Sequence, residues 1–196
     1  MEPRGTLAAF DHYLVAQALR FEGIVSGGTA LNLLGILFRP VKECAVVHPR
    51  LPEEIRAAAR AFAADRRRDG EALADEWLNN GPAVLAKQLP DAWEKRTEGA
   101  FRGAALKLQS LCREDFLRVQ LFALCDRGLD LADCLAVTPT ADELATLLPW
   151  VEQQDLNPDW PTHVRATFAD LGKNLDHRRC KGGRGAAAGG TCARDS

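Results

Sequence analysis

Ser26-Gly27-Gly28-Thr29-Ala30-Leu31-Asn32-Leu33-Leu34-Gly35, followed by Arg39-Pro40-Val41-Lys42-Glu43-Cys44-Ala45-Val46, is the stretch on which the fold turns. The apolar run Phe21 to Val25 before it reads as a short strand that the glycines end. Thr29 to Leu34 reads as a short helix, and Arg39 to Lys42 as a basic loop. Glu43 to Val47 reads as a second strand, stopped by His48-Pro49.

The chemistry this layout can carry follows from backbone geometry. Glycine lets a chain turn tightly and approach a ligand, and free N–H groups at such a turn suit a phosphate. Two glycines between a strand and a helix also serve as a plain turn. On a strand, residues i and i+2 share a face, so Glu43 and Ala45 lie on one side and Cys44 on the other. Two acids at those positions would hold Mg²⁺ beside a triphosphate. Here the second position is Ala45. Arg39 and Lys42 are placed to neutralise phosphate charge.

Outward from this stretch the pattern alternates between strand and helix, then becomes helical. Thr6 can cap a first helix carrying Leu7, Phe10, Leu14 and Ala18. Leu51-Pro52-Glu53-Glu54 opens a helix with Ile55, Ala58, Ala59 and Phe62 on one face. Asn79-Asn80-Gly81-Pro82 reads as a turn, with a helix at 83–88. Arg96 to Phe101 and Ala105 to Leu111 read as two strands around Arg102-Gly103. Helices are predicted over Glu114 to Asp126 and Asp130 to Leu135, from a capping box at Thr140-Ala141-Asp142-Glu143 to Pro149, and from Pro161 onward. These elements predict an α+β fold: an α/β core over 1–112, a helical part over 113–177 packed on it, and a disordered Gly/Ala/Arg-rich tail over 178–196.

The net charge of −2 gives no overall pull toward nucleic acid or an anionic membrane, although five of the 25 basic residues crowd into that tail. Six cysteines form no Cys-x-x-Cys pair and no secretory signal precedes them, which predicts a reducing cytoplasm. Cys44, Cys112, Cys125 and Cys134 sit in apolar runs and read as small buried hydrophobes. No apolar run is long enough to span a bilayer, so no membrane partner is expected.

Phe21 to Pro49 resembles a family of bacterial nucleotidyltransferase-fold proteins related to the abortive-infection toxin nucleotidyltransferases. Their pattern is a hydrophobic strand, Gly-Gly-x-Ala-Leu-Asn-Leu-Leu-Gly, then Arg-Pro-Thr-Lys-Asp-x-Asp-Val. Leu121 to Asp133 is similar to the family's later motif, a lysine and then an arginine followed by Asp-x-x-Asp. The likeness covers most of residues 5–175. It implies a nucleotidyltransferase-like mixed sheet flanked by helices, with NTP and Mg²⁺ or Mn²⁺ as ligands. It also implies transfer of a nucleotidyl group to an RNA or protein acceptor, in the setting of a toxin with a cognate antitoxin or of a defence system.

Carried over residue by residue, Gly27, Gly28 and Thr29 take the phosphate turn, and Arg39, Lys42 and Arg127 bind nucleotide. Glu43, Asp130 and Asp133 are the catalytic candidates, with Glu43 the metal ligand. The chain departs from the pattern at Val41 (threonine in the family), Glu43 (aspartate), Ala45 (aspartate) and Gln120 (lysine). Loss of a metal-binding acid at 45 predicts a weakly held metal at best and attenuated transfer. The alternative is a catalytically inactive nucleotide-binding or protein-interaction module.

Other candidates have plainer readings. Asp130 and Asp133 read equally as helix-capping residues. Glu98 would be a third acid only if its strand faces the site. His12, His48, His163 and His177 show no ligand spacing, though His48 adjoins the site strand. Trp77, Trp93, Trp150 and Trp160 read as packing residues.

Overall fold

The computed structural model describes residues 1–128 and 131–184. It is α+β: a five-stranded mixed sheet with flanking helices, followed by a helical C-terminal part. In chain order the elements are α1 (Pro3–Ala16), β1 (Phe21–Ser26), α2 (Gly27–Leu33), β2 (Cys44–His48), α3 (Glu53–Arg68), β3 (Leu78–Asn79), β4 (Thr97–Arg102) and β5 (Leu106–Leu111). Then come α4 (Arg113–Arg127), α5 (Leu131–Val137), α6 (Ala141–Glu152) and α7 (Trp160–Arg184). Two 3₁₀ turns, Gly81–Lys87 and Trp93–Lys95, bridge β3 and β4.

The sheet runs β3-β2-β1-β5-β4. β1 is central, antiparallel to β2 and parallel to β5. β2 is parallel to β3, which pairs Ala45 with Asn79, while β1 pairs Ser26 with Ala45. The alternation expected of a half-buried strand is plain in β5, where Leu106 and Leu108 are buried and Lys107 and Gln109 are exposed.

One cluster of buried apolar side chains runs from Leu7 to Leu175 and joins the sheet to the C-terminal helices. Its aromatic centre is Phe10, Phe62 and Trp77. Phe10 meets Trp77 edge-on at 5.1 Å between ring centroids, and the Trp77 indole N–H donates to the Ala59 carbonyl at 3.0 Å. Trp93 and Trp160 are also buried, in keeping with packing roles. Among the described residues no helix is long and apolar enough to cross a membrane.

Asp11 ties α1 to the turn between β4 and β5. It is 6% exposed, and its carboxylate accepts from the backbone N–H groups of Ala104 (3.1 Å), Ala105 (2.8 Å) and Leu106 (2.7 Å). Burial by itself would raise this carboxyl. The donors at Ala105, Ala104 and Leu106, with a smaller contribution from the His12 charge, outweigh burial and hold the group below the ordinary carboxylate range.

Several boundaries differ from those the sequence predicts. α1 starts at Pro3 because the Glu2 carboxylate caps it, accepting from the Arg4 and Gly5 N–H groups, so Thr6 lies inside the helix. α6 does not end at Pro149 but continues to Glu152, with Leu147 and Val151 buried on either side of the proline. α7 runs on through Arg184, past the boundary expected for a disordered tail at 178. The remainder of that tail, 185–196, lies outside the described residues. Cys44, Cys125 and Cys134 are buried as expected, whereas Cys112 is only half-buried because it caps α4, with its sulfur 3.3 Å from Asp115 Oδ2.

Candidate functional site

The strand before Gly27 forms as the sequence predicts, but α2 begins at Gly27 and not at Thr29, so the two glycines are the first residues of the helix. Ser26 ends β1 in extended conformation, and Gly27 takes φ +66°, the left-handed region that favours glycine. A side chain at Gly27 would meet nothing within 4 Å, so that side of the turn is open. Gly28 is different. A Cβ there would lie 3.0 Å from Val41 Cγ1 and 3.7 Å from Asp133 Oδ2.

These neighbours account for one departure from the resembled pattern, Val41, and for the place of one residue that matches it, Asp133. Val41 is buried beneath the turn and packs where Gly28 has no side chain. Asp133, in the first turn of α5, reaches the same point because α5 packs against α2. Its carboxylate is almost wholly buried and accepts from Arg39 Nη2 at 2.5 Å. The early and late motifs therefore meet at Gly28. Asp133 is not a solvated cap.

The remaining candidates take defined places. Thr29 is buried, and its hydroxyl donates to the Glu43 carbonyl at 2.6 Å, tying α2 to the mouth of β2. The strand starts at Cys44, so Glu43 lies just ahead of it and is exposed. Glu43 Oε2 accepts from the Asn79 side-chain amide at 2.7 Å. Lys42 is exposed on the basic loop, and Arg127 ends α4 at the surface. Gln120 is 4% exposed, in a setting where an unpaired lysine would be costly. Asp130 lies outside the described residues.

Asn79 has no place in the sequence reading, which put a turn there. Its strand is only two residues long, too short for any periodicity to reveal. Glu98 is a negative finding. It pairs with Ser110, which pairs with Val25, which pairs with Val46. Three strand spacings separate it from β2, roughly 14 Å. It is no third acid for this site.

Whether these residues suit Mg²⁺ or Mn²⁺ is a question of donors. Glu43 brings one carboxylate, already accepting from Asn79. Ala45, half-buried between Ser26 and Asn79, brings no oxygen, and Asp133 is held by Arg39. Among the described residues no three His, Cys, Asp or Glu side chains gather into a metal-binding group. A hard cation that needs several charged oxygen ligands is poorly served by this set. What the arrangement offers is an open glycine turn with exposed cations beside it. No protein-family model, curated protein or solved structure matches this chain, so the geometry of its own residues carries the functional reading.

Proposed function

We propose that this protein is a nucleotidyltransferase-like module that binds the phosphates of a nucleotide at the Gly27-Gly28 turn without metal-dependent nucleotidyl transfer. The observation that carries this reading is the Arg39–Asp133 ion pair laid against Gly28, which joins the two resembled motifs in space. Asp133 takes one Nη of Arg39 and orients the guanidinium. The Arg39 side chain stays 52% exposed, so its other donors remain available to an anion. Lys42 adds a second positive charge on the same loop. The missing acid at Ala45 argues for loss of transfer and leaves phosphate recognition by backbone and cations untouched. The setting that goes with the resemblance is a toxin or defence system.

The test is calorimetric titration with each NTP, with and without Mg²⁺, alongside incubation with labelled NTP, Mg²⁺ or Mn²⁺ and total RNA. Saturable binding that does not need the metal and is lost in Arg39→Gln, without label transfer, is the expected result. Transfer by the wild-type protein that disappears in Glu43→Ala would overturn it. Transfer only by Ala45→Asp would locate the defect at that one position. An absence of NTP binding would leave the fold as a protein-interaction module.

A further inference from the structure

The far end of β2 borders a second concavity that the nucleotide reading does not use. It lies beyond His48, roughly 10 Å along the strand from Ala45 at about 3.4 Å per residue. Its volume is about 610 Å³, within the range of small-molecule pockets, roughly 300–1,000 Å³. One wall is apolar, built from Val47, the buried Trp93, and Val84, whose side chain is left 70% exposed. The rim is cationic: Arg50 and Lys87 line it, beside His48 and one carboxylate, Glu94.

The cations here differ from many of those among the described residues. Arg60, Arg66, Arg67, Arg113 and Arg165 each hold a carboxylate. Arg50 and Lys87 hold none among the described residues, although Glu94 lines the same cleft and Glu76 lines a smaller cavity that Arg50 also borders. The backbone beneath Arg50 is fixed. Asn80 Nδ2 donates to the carbonyls of Val46 (3.0 Å) and Pro49 (3.1 Å), and its Oδ1 accepts from the Leu51 N–H (2.7 Å). The His48 ring stands edge-on to Trp93, 6.0 Å between centroids. An unpaired guanidinium fork on a braced loop beside an apolar wall is complementary to an anion carried on a flat apolar body.

We propose that this cleft binds a small organic anion, its phosphate or carboxylate head on Arg50 and Lys87 and its apolar body against Val84 and Trp93. The site is separate from the Gly27 turn and does not depend on the nucleotide reading.

The test uses the full chain with phenyl phosphate and benzoate as probes and inorganic phosphate as the head alone. Binding is followed by calorimetry and by the Trp93 indole N–H resonance, assigned with Trp93→Phe. Saturable binding that shifts this resonance is expected, tighter for at least one aromatic probe than for inorganic phosphate; the tighter of the two aromatic probes identifies the head group. Arg50→Gln/Lys87→Gln weakens it about tenfold or more, as loss of charge-assisted hydrogen bonds predicts. Val84→Asp, at an exposed position that folding tolerates, weakens it too, and Arg39→Gln leaves it unchanged. Failure of both aromatic probes to saturate overturns the proposal, as does binding indifferent to the Arg50/Lys87 and Val84 changes. Binding lost in Arg39→Gln instead would belong to the Gly27 turn and would also overturn it.

Discussion

Asp133 accepts a 2.5 Å hydrogen bond from Arg39, a residue 94 positions earlier in the chain, and does so from an almost fully buried position. The pair joins the basic loop before β2 to the start of α5 and sets the orientation of the Arg39 guanidinium beside the glycine turn. Arg39 is half-exposed, so solvent screens part of the attraction, but its removal leaves a buried carboxylate without its cation.

Arg39→Ala is therefore expected to cost about 1–3 kcal/mol of stability, measured by urea unfolding, and to abolish the proposed nucleotide binding. Arg39→Lys, which keeps the charge but not the planar fork, should recover much of the stability and little of the binding. Equal recovery of both would show that charge alone matters at this position.

Asp11 and Gly103 form a second coupled pair. A Cβ at Gly103 would land inside the Asp11 carboxylate, which three backbone donors hold in place. Gly103→Ala is expected to destabilise by about 2–4 kcal/mol, and Asp11→Ala by about 3 kcal/mol through the buried N–H groups it leaves unsatisfied. The double variant should lose clearly less than the sum, because removing Asp11 removes the clash. Additive losses in denaturant unfolding would contradict the geometry.

Acid should weaken the helical part through Glu143. The Arg113 hydrogen bond, acting against burial and helped by the Thr140 backbone N–H, lowers this carboxyl to about 2. A carboxyl depressed on folding stabilises the folded state fully above its unfolded value, about 4.3, and loses that contribution as pH falls through the folded value. The stability gap between wild type and Glu143→Gln should be full at neutral pH and shrink from about pH 4.3 toward pH 2. Urea midpoints across that range provide the check. Asp11, also depressed, contributes with the same sign.

Thiol reactivity should follow burial. Burial first, with the Glu43 charge adding, pushes the Cys44 thiol up to about 12, and burial pushes Cys125 up to about 11. Cys180 is exposed on α7. Alkylation of the native protein followed by peptide mapping should mark Cys180 early and leave Cys44 and Cys125 unmodified until denaturant is added.

The sheet strands with clear apolar alternation, and the helices with proline, acidic or capping-box starts, stand within a few residues of where local patterning puts them. The α6 start shows why: Thr140 and Glu143 cap each other's backbone, a purely local device. β3 escaped because two residues joined to β2 by Cys44–Leu78 and Ala45–Asn79 carry no period of their own. The contact between Asp133 and Gly28 was legible only as two separate motifs. Their meeting depends on α5 packing against α2, which no local pattern encodes. Local pattern also gave no sign that Val41 and Gln120 are buried, Val41 directly beneath Gly28.

The central place of β1 has a consequence for how the chain assembles. On one side β1 takes β2, reached through a short helix and loop; on the other it takes β5 in parallel, pairing Phe21 with Leu106 across most of the N-terminal half. The first seam closes a small loop, and the second must wait for a large one, with its greater entropic cost. The glycine turn thus belongs to the low-contact-order side of the sheet. Refolding rate should be governed by the β1–β5 seam, leaving the residues at the turn freer to vary without slowing the fold.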